Sequence, residues 1–404
     1  MRRELNATDK TFLAVSLMVL SAFCVWLQTS TPYGEVSQRR RLNLQLADVD
    51  SSVNKGTDTK KHTFKIMQLA DLHMGEASDT KWGPKQDENT FAALDSVIEA
   101  EQPDLIVLSG DQLTANNIDV NASAYMHNLC QHLKQYNIPW AQIFGNHDDA
   151  PLEREDEEGN IIRTNQTKTS REDLYHVDHS FAPLSLTKLG PKNLFGTSNY
   201  VLDVYNPDNN QVALQLLMLD TGGGTLPKQL KTNQVQWFQS LRQQRSPAAA
   251  QLPPPMVAFQ HIPTKEFVHN DDVCEGMEED GVDTIDRDPG IVEALEQDGN
   301  VHFLAVGHMH GNDYCCSYGS SKFHVCFGRH SGYGGYGRWK RGARVYELHF
   351  NSNTADNAVT GMQWKSWVRM ESGYIYDEYS PYGDLIEEEA EEEEEEADVD
   401  EDNE

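Results

Sequence analysis

Nine short runs rich in Val, Ile, Leu and Phe recur along the 404-residue chain, and several stop at polar clusters. They cover residues 63–70, 104–109, 138–144, 199–205, 212–219, 256–260, 302–306, 322–327 and 344–350. A continuous apolar run of that length reads as a strand covered on both faces, so a sheet of such strands needs a layer on each side. Helical periodicity fills the early gaps. Residues 88–101 place Phe91, Leu94, Val97 and Ile98 on one face, and 122–136 is similar. Residues 232–245 and 289–297 supply later helices, with Pro289 suited to a first turn. Strand–helix–strand–helix–strand at the start predicts parallel pairing through right-handed crossovers. The later runs, joined by short turns, predict a second sheet with antiparallel pairs. The expected class is α/β, with ligands bound beyond the carboxyl ends of the strands.

The residues at those ends carry chemistry. Run 63–70 leads into Asp71-Leu72-His73, run 104–109 into Gly110-Asp111, and run 138–144 into Gly145-Asn146-His147-Asp148. Run 256–260 ends at His261, and run 302–306 ends in Gly307-His308-Met309-His310. Carboxylate, amide oxygen and imidazole together suit Zn, Fe, Mn or similar ions, whereas a thiolate-rich set would mark a structural zinc site. Two such ions about 3.5–4 Å apart can hold a phosphate, generate hydroxide and stabilise a leaving oxygen. Asp111, with two oxygens, is the natural bridge between them. A single Asp-x-His or Gly-Asp arises by chance in many chains. Five in order, each after a predicted strand, point to a metal centre.

The order Asp-x-His, Gly-Asp, Gly-Asn-His-Asp, His, Gly-His-x-His resembles the calcineurin-like metallophosphoesterase superfamily. Residues 64–71, 103–107, 261–263 and 306–315 are similar to a plant and fungal branch of it, often labelled purple-acid-phosphatase-like. The likeness runs from about residue 62 to 370. It implies a sandwich of two mixed β-sheets flanked by helices. It also implies that Asp71, His73 and His310 bind one ion and Asn146, His261 and His308 the other, with Asp111 bridging. His147 would sit beside the scissile bond and act with Asn146 on the substrate. The cofactor implied is a pair of divalent or mixed-valence transition-metal ions. One departure stands out: purple acid phosphatases carry a tyrosine three residues after the bridging aspartate and begin with Asp-x-Gly. Here Thr114 and His73 take those places, so no tyrosinate ligand, and no purple colour, is expected.

The two ends differ from the middle. Residues 12–27 form an apolar run with only Ser16 and Ser21 polar, preceded by Arg2, Arg3 and Lys10. At roughly 24 Å it fits a signal peptide or a short signal anchor within residues 1–30, which implies the secretory pathway and a catalytic domain that is lumenal or extracellular. Residues 31–61 read as a polar linker and 62–375 as the domain. The net charge is −31, but residues 384–404 hold 15 acidic residues and no basic one. The first 383 residues therefore retain 49 acidic against 33 basic side chains, a charge of −16. The acidic end reads as a disordered, solvating tail. Beyond the apolar run lie Cys130, Cys274, Cys315, Cys316 and Cys326; Cys315 or Cys316 with Cys326 would close a small hairpin-like loop. Asn121 and Asn165 begin glycosylation sequons.

The segment Gly332-Tyr-Gly-Gly-Tyr-Gly337 matches G-x-G-x-x-G but precedes a strand instead of a helix, so it is no dinucleotide site. A glycine-rich loop near the metal centre fits better, with Arg329 or His330 reaching substrate. His302 and His324, inside strands, read as packed residues. The function expected is hydrolysis of phosphomonoesters, on a phosphorylated small molecule or phosphoprotein, with the membrane touched only through the N-terminal segment. Alternatives are a phosphodiesterase of the same kind or a non-catalytic, acidic metal-binding surface protein. Acidic stretches after Asn146 and after His261 argue against nucleic acid as a partner.

Overall fold

The computed structural model describes residues 40–47, 59–77, 80–119, 122–155, 161–164, 166, 169–245, 253–268, 274–319, 322–353 and 359–381. The apolar run 12–27, the acidic tail and both sequon residues, Asn121 and Asn165, lie outside these residues. Among the described residues no helix is long and apolar enough to cross a membrane.

In chain order the elements are β1 (Leu42–Asn43), β2 (Gln45–Leu46), β3 (Thr59–Leu69), α1 (Gly83–Glu101), β4 (Leu105–Leu108), α2 (Ser123–Lys134) and β5 (Trp140–Gln142). There follow β6 (Glu153–Glu155), β7 (Ile161–Arg163), α3 (Arg171–His179), β8 (Tyr200–Tyr205), β9 (Val212–Met218), α4 (Thr232–Arg245), β10 (Met256–Phe259) and β11 (Cys274–Glu275). The last are α5 (Ile291–Asp298), β12 (Val301–Val306), β13 (Cys315–Tyr318), β14 (Phe323–Phe327), β15 (Gly342–Asn353), β16 (Val359–Met370) and β17 (Ile375–Tyr379).

Two mixed sheets form the centre. One runs β17-β16-β15-β3-β4-β5 with β2 also on β3, and the other runs β1-β8-β9-β10-β12-β14-β13-β11. In the first, β3, β4 and β5 are parallel, with Ile66 opposite Leu105 and Ile106 opposite Trp140. Side-chain alternation explains why such strands read as unbroken apolar runs. Phe64, Ile66, Leu105 and Val107 meet Leu214, Val257, Phe259 and Phe303 between the sheets. Met67, Leu69, Ile106 and Leu108 face outward onto Leu94, Val97 and Ile98 of α1 and Leu129 and Leu133 of α2. On the second sheet Ala258, Leu304 and Val306 pack outward on Phe238 of α4 and Ile291 and Leu295 of α5. The result is a helix–sheet–sheet–helix stack with one core per interface.

Four expectations are sharpened or corrected by the fold. The second sheet has its expected antiparallel pairs at β8–β9, β13–β14 and β11–β13, but β9, β10, β12 and β14 at its centre are mutually parallel. The late run at 344–350 belongs to β15, which pairs antiparallel with β3 in the first sheet. The supposed linker is partly structural. β1 pairs with β8, β2 pairs with β3, and Leu42 and Leu44 are buried. Two-residue strands on sheet edges are too short to leave a periodic signal. Pro289 likewise precedes α5 instead of opening it; Asp288 Oδ1 accepts from the Gly290 and Ile291 amides there.

Candidate metal centre

Parallel strands of both sheets deliver their carboxyl ends to one place. β3 leads to Asp71 and His73, β4 to Asp111, β5 to Asn146 and His147, β10 to His261, and β12 to His308 and His310. Tight turns follow each strand. Asp71, His73, Asp111 and His308 adopt φ of 58°, 50°, 53° and 77°, the left-handed region that L-residues avoid. Such backbone costs of order 1–3 kcal/mol per residue and persists only where neighbours over-determine it. Here the Asp71 amide donates to Gly110 O, the His73 amide to Asp111 O, and the Gly307 amide to His261 O. Gly110, at φ 105°, is required for contact as well as conformation: a Cβ there would lie 2.2 Å from His261 Nδ1.

Two donor groups result. Asp71, His73 and His310 offer ligand atoms within 4.8 Å of one another, and so do Asp111, His261 and His308. His73 Nε2 stands 3.2 Å from His310 Nε2, and His310 Nε2 stands 3.9 Å from Asp71 Oδ1. His261 Nε2 is 3.1 Å from Asn146 Oδ1. Asp111 Oδ2 lies between the groups, 3.2 Å from His261 Nε2 and 3.6 Å from His73 Nε2.

The outer ring nitrogens show what the inner ones are for. His261 Nδ1 donates to Ser109 O at 2.9 Å and His310 Nδ1 to Tyr336 O at 2.8 Å. His73 Nδ1 meets Thr114 Oγ1 at 3.1 Å, and His308 Nε2 meets Asp283 Oδ2 at 3.3 Å. With the outer positions protonated, bare lone pairs of His73 and His310 face each other, an arrangement that a shared cation satisfies and a hydrogen bond does not. Burial lowers His73 well below the ordinary imidazole range, lowers His308, and brings His310 to about 4, so these rings are neutral, as ligation needs. Burial opposes charge on His261 too, but Asp111 prevails and raises it to about 9. Burial also raises Asp71 to about 7, with Asp111 and Asp148 adding to it. Asp111 resists burial because His261 and His147 hold it well below the usual carboxylate range. Carboxylate, amide and imidazole donors fit cations of intermediate hardness; the bridge is already ionised, and a bound cation would have to displace the His261 proton.

The family model for calcineurin-like phosphoesterases matches residues 64–312. The chain belongs to this family. Among similar proteins, probable inactive purple acid phosphatase 29 of Arabidopsis thaliana is 28% identical over 413 residues, covering 93% of this chain and 94% of the relative. Probable inactive purple acid phosphatase 28 of the same plant is 26% identical over 398 residues, covering 90% and 92%. Phosphatase DCR2 of Saccharomyces cerevisiae is 28% identical over 341 residues, covering 76% of this chain and 55% of that protein.

This calcineurin-like phosphoesterase uses several residues that sequence motifs leave without a role. Asp148, fully buried, accepts from the amides of Asp111, Leu113 and Gly145 and so shapes two of the turns. Arg171, at the start of α3, bonds Asp149, Asp220 and the carbonyls of Gly145, Gly222 and Gly223. Asn116 Oδ1 accepts from His147 Nδ1 at 2.9 Å, while the His147 amide donates to Asp111 Oδ1 at 2.7 Å. The Gly332–Gly337 loop wraps the first donor group: at Gly335, φ 73°, a Cβ would stand 2.5 Å from His310 Cε1.

Neither Arg329 nor His330 borders the cavity beside the donor groups. Arg329 is buried on Asp313, Lys340 O and Tyr376, beside a separate cavity of about 640 Å³. His330 is fully buried and packs against the His310 ring at 3.9 Å between centroids. Among the described cysteines, Cys315 is bonded to Cys326 and Cys316 to Cys274, leaving Cys130 as a buried free thiol. The Cys274 pairing has no local signal, since 42 residues separate its partners. The open side of the centre is a cavity of about 500 Å³ bordered by Asn146, His147, Glu153, Lys228, Asp283 and His308.

Proposed function

We propose that the chain hydrolyses phosphomonoesters with two transition-metal ions, Mn, Fe or Zn, one on Asp71, His73 and His310 and the other on Asn146, His261 and His308. The observation that carries this is Asp111 Oδ2, placed within 3.6 Å of a histidine from each group. Such ions, when bound, activate a water for attack and neutralise phosphate charge. The remaining work falls to the protein. His147, held at Nδ1 by Asn116 and through its amide by Asp111, presents Nε2 to the cavity and gives a proton to the departing oxygen. Lys228, paired with Asp283 at 2.7 Å, brings a positive charge to the cavity border. Glu153, Asp283 and Asp286 also border the cavity, so the entrance repels a long polyanion and favours a single terminal phosphate over nucleic acid.

The word inactive in the plant relatives' names belongs to those proteins; a full donor set beside a positioned His147 supports activity here. Two disulfides support passage through an oxidising compartment, and hence a secreted or anchored protein. The test is to strip the full chain with a chelator, restore Mn, and compare a phosphomonoester with a phosphodiester. Faster hydrolysis of the monoester, only with metal, is expected. Preference for the diester would move the protein to the phosphodiesterases. No hydrolysis with two ions bound would leave a metal-binding surface protein.

A further inference from the structure

A third group of acidic side chains lies away from the strand ends. The short 3₁₀ turn Lys265–Phe267 carries Glu266. The approach to α5 carries Asp288, and the first turn of α5 carries Glu293. One carboxylate oxygen from each lies within 4.8 Å of the others. The Glu266 side chain is only 3% exposed. Glu266 Oε2 has no hydrogen-bond donor among the described residues, Oε1 has the Lys265 amine at 3.4 Å, and Asp288 Oδ2 and Glu293 Oε2 are buried without a donor. One oxygen from each of three carboxylates thus shares a partly buried spot, with the Glu293 side chain 43% exposed, where an unpaired charge is costly.

The nearest positive group is Lys265. Its Nζ is 3.4 Å from Glu266 Oε1 and 3.9 Å from Glu293 Oε1, on a side chain 73% exposed. One exposed amine against three carboxylates leaves two charges uncompensated, and exposed pairs contribute little. Burial pushes Asp288 up, and Glu266 and Glu293 add to the push, which marks a place short of positive charge.

We propose that Glu266, Asp288 and Glu293 bind a calcium-type cation, separate from the two transition-metal positions. All-oxygen donors suit a hard ion. Three carboxylates around one point suit Ca²⁺, with ligands at about 2.3–2.6 Å, better than Mg²⁺, which keeps most of its waters. The ion ties together two loops that already touch through the Ile285 amide and Pro263 O. One loop carries His261, and the other carries Asp283, which holds His308. The cation is therefore structural, and it stiffens the supports of the catalytic pocket from behind. The inference does not depend on the chain being a phosphatase.

The test uses the full chain with Mn²⁺ saturating the histidine-rich pocket, and Ca²⁺ as the added probe. Binding is read by equilibrium dialysis and by melting temperature, in the parent and in Glu266→Gln with Asp288→Asn. The acidic tail adds weak adsorption equally to both. The parent should bind one more Ca²⁺ than the variant, and its melting temperature should rise by about 3–5 °C at a hundredfold excess over Kd. Equal Ca²⁺ responses in the two proteins would overturn the proposal. In chelator alone the variant should melt no lower than the parent, because it sheds buried charge while an asparagine amide oxygen can still accept from the Gly290 and Ile291 amides. A variant that melts clearly lower without Ca²⁺ would show that the carboxylates serve protein contacts, which also overturns it. Lys265→Met should tighten Ca²⁺ binding several-fold. Unchanged Ca²⁺ affinity together with a less stable protein would identify Lys265 as the resident cation and end the idea.

Discussion

The two sheets contribute different chemistry to the pocket they share. The first supplies Asp71, Asp111 and Asn146, the oxygen donors, with the imidazoles of His73 and His147; the second supplies only imidazoles, His261, His308 and His310. Both donor groups, with Asn146 beside the second, thus draw side chains from both sheets, and neither sheet alone holds a complete set. The difference teaches that the centre depends on the packing between the sheets as much as on any loop. Phe64, Ile66, Val257, Phe259 and Phe303 fix how far apart the ligands stand.

Breaking the link between the sheets should have the largest effect. Asp111→Asn removes the carboxylate that spans the two groups. Hydrolysis of an aryl phosphate should fall by about 10³-fold or more, with bound metal below two ions per chain by elemental analysis. Full activity with one ion or none would end the two-metal reading.

Next comes the first sheet's own catalytic contribution. His147→Ala should slow an alkyl phosphate by about 10²–10⁴ while leaving metal content near the parent's. An aryl phosphate with an acidic phenol needs little protonation and should suffer far less. Equal losses on both substrates would assign His147 to phosphate positioning instead.

Asn116→Ala probes how that histidine is aimed. Losing one hydrogen bond of about 1 kcal/mol should lower kcat on the alkyl ester by roughly fivefold to tenfold with KM and metal unchanged. A shift in KM alone would place Asn116 on the substrate.

A second-sheet histidine tests the packing itself. His324 of β14 sits against Trp364 and Tyr379 of the first sheet, and burial lowers it to about 4. Its ordinary value is 6.5. A depressed histidine is neutral when folded, so its contribution is intact above pH 6.5 and is lost as pH falls from there toward 4. Urea unfolding should show roughly 1–2 kcal/mol less stability at pH 5 than at pH 7.5 from this group. His324→Phe should flatten that slope. An unchanged slope would show that the sheets tolerate the charge between them.

The smallest effect should come from removing residues 384–404. That segment holds no ligand motif, and its charge acts at long range through salt. Turnover of a small phosphate ester should stay within about twofold; a tenfold loss would mean that the tail docks on the domain.

Legibility followed physical range. β3, β4, β10 and β12 are buried on both faces, so their apolar runs and the ligands after them stood out. β16 mixes Trp364, Trp367 and Val368 with Gln363, Lys365 and Arg369, and so carries no continuous run. α3 hides for a related reason: its sequence REDLYHVDH is mostly polar, yet Arg171, Leu174 and Tyr175 are buried. The roles of Arg171, Asn116 and Asp148 depend on partners brought close only by the fold, so no spacing announces them. Arg329 and His330 show the converse: a place beside a glycine-rich loop suggested reach toward substrate, whereas both side chains are buried away from the cavity at the donor groups.

Cys315 and Cys316 are neighbours in β13, and their bridges leave in opposite directions, to Cys326 on β14 and Cys274 on β11. Any single protease cut between Glu275 and Cys315 therefore yields two pieces that remain covalently joined through Cys274–Cys316. On a denaturing gel such nicked protein runs as one band without reductant and as two with it. A nick in the segment carrying Asp283 would pass unnoticed wherever purity is judged without reductant.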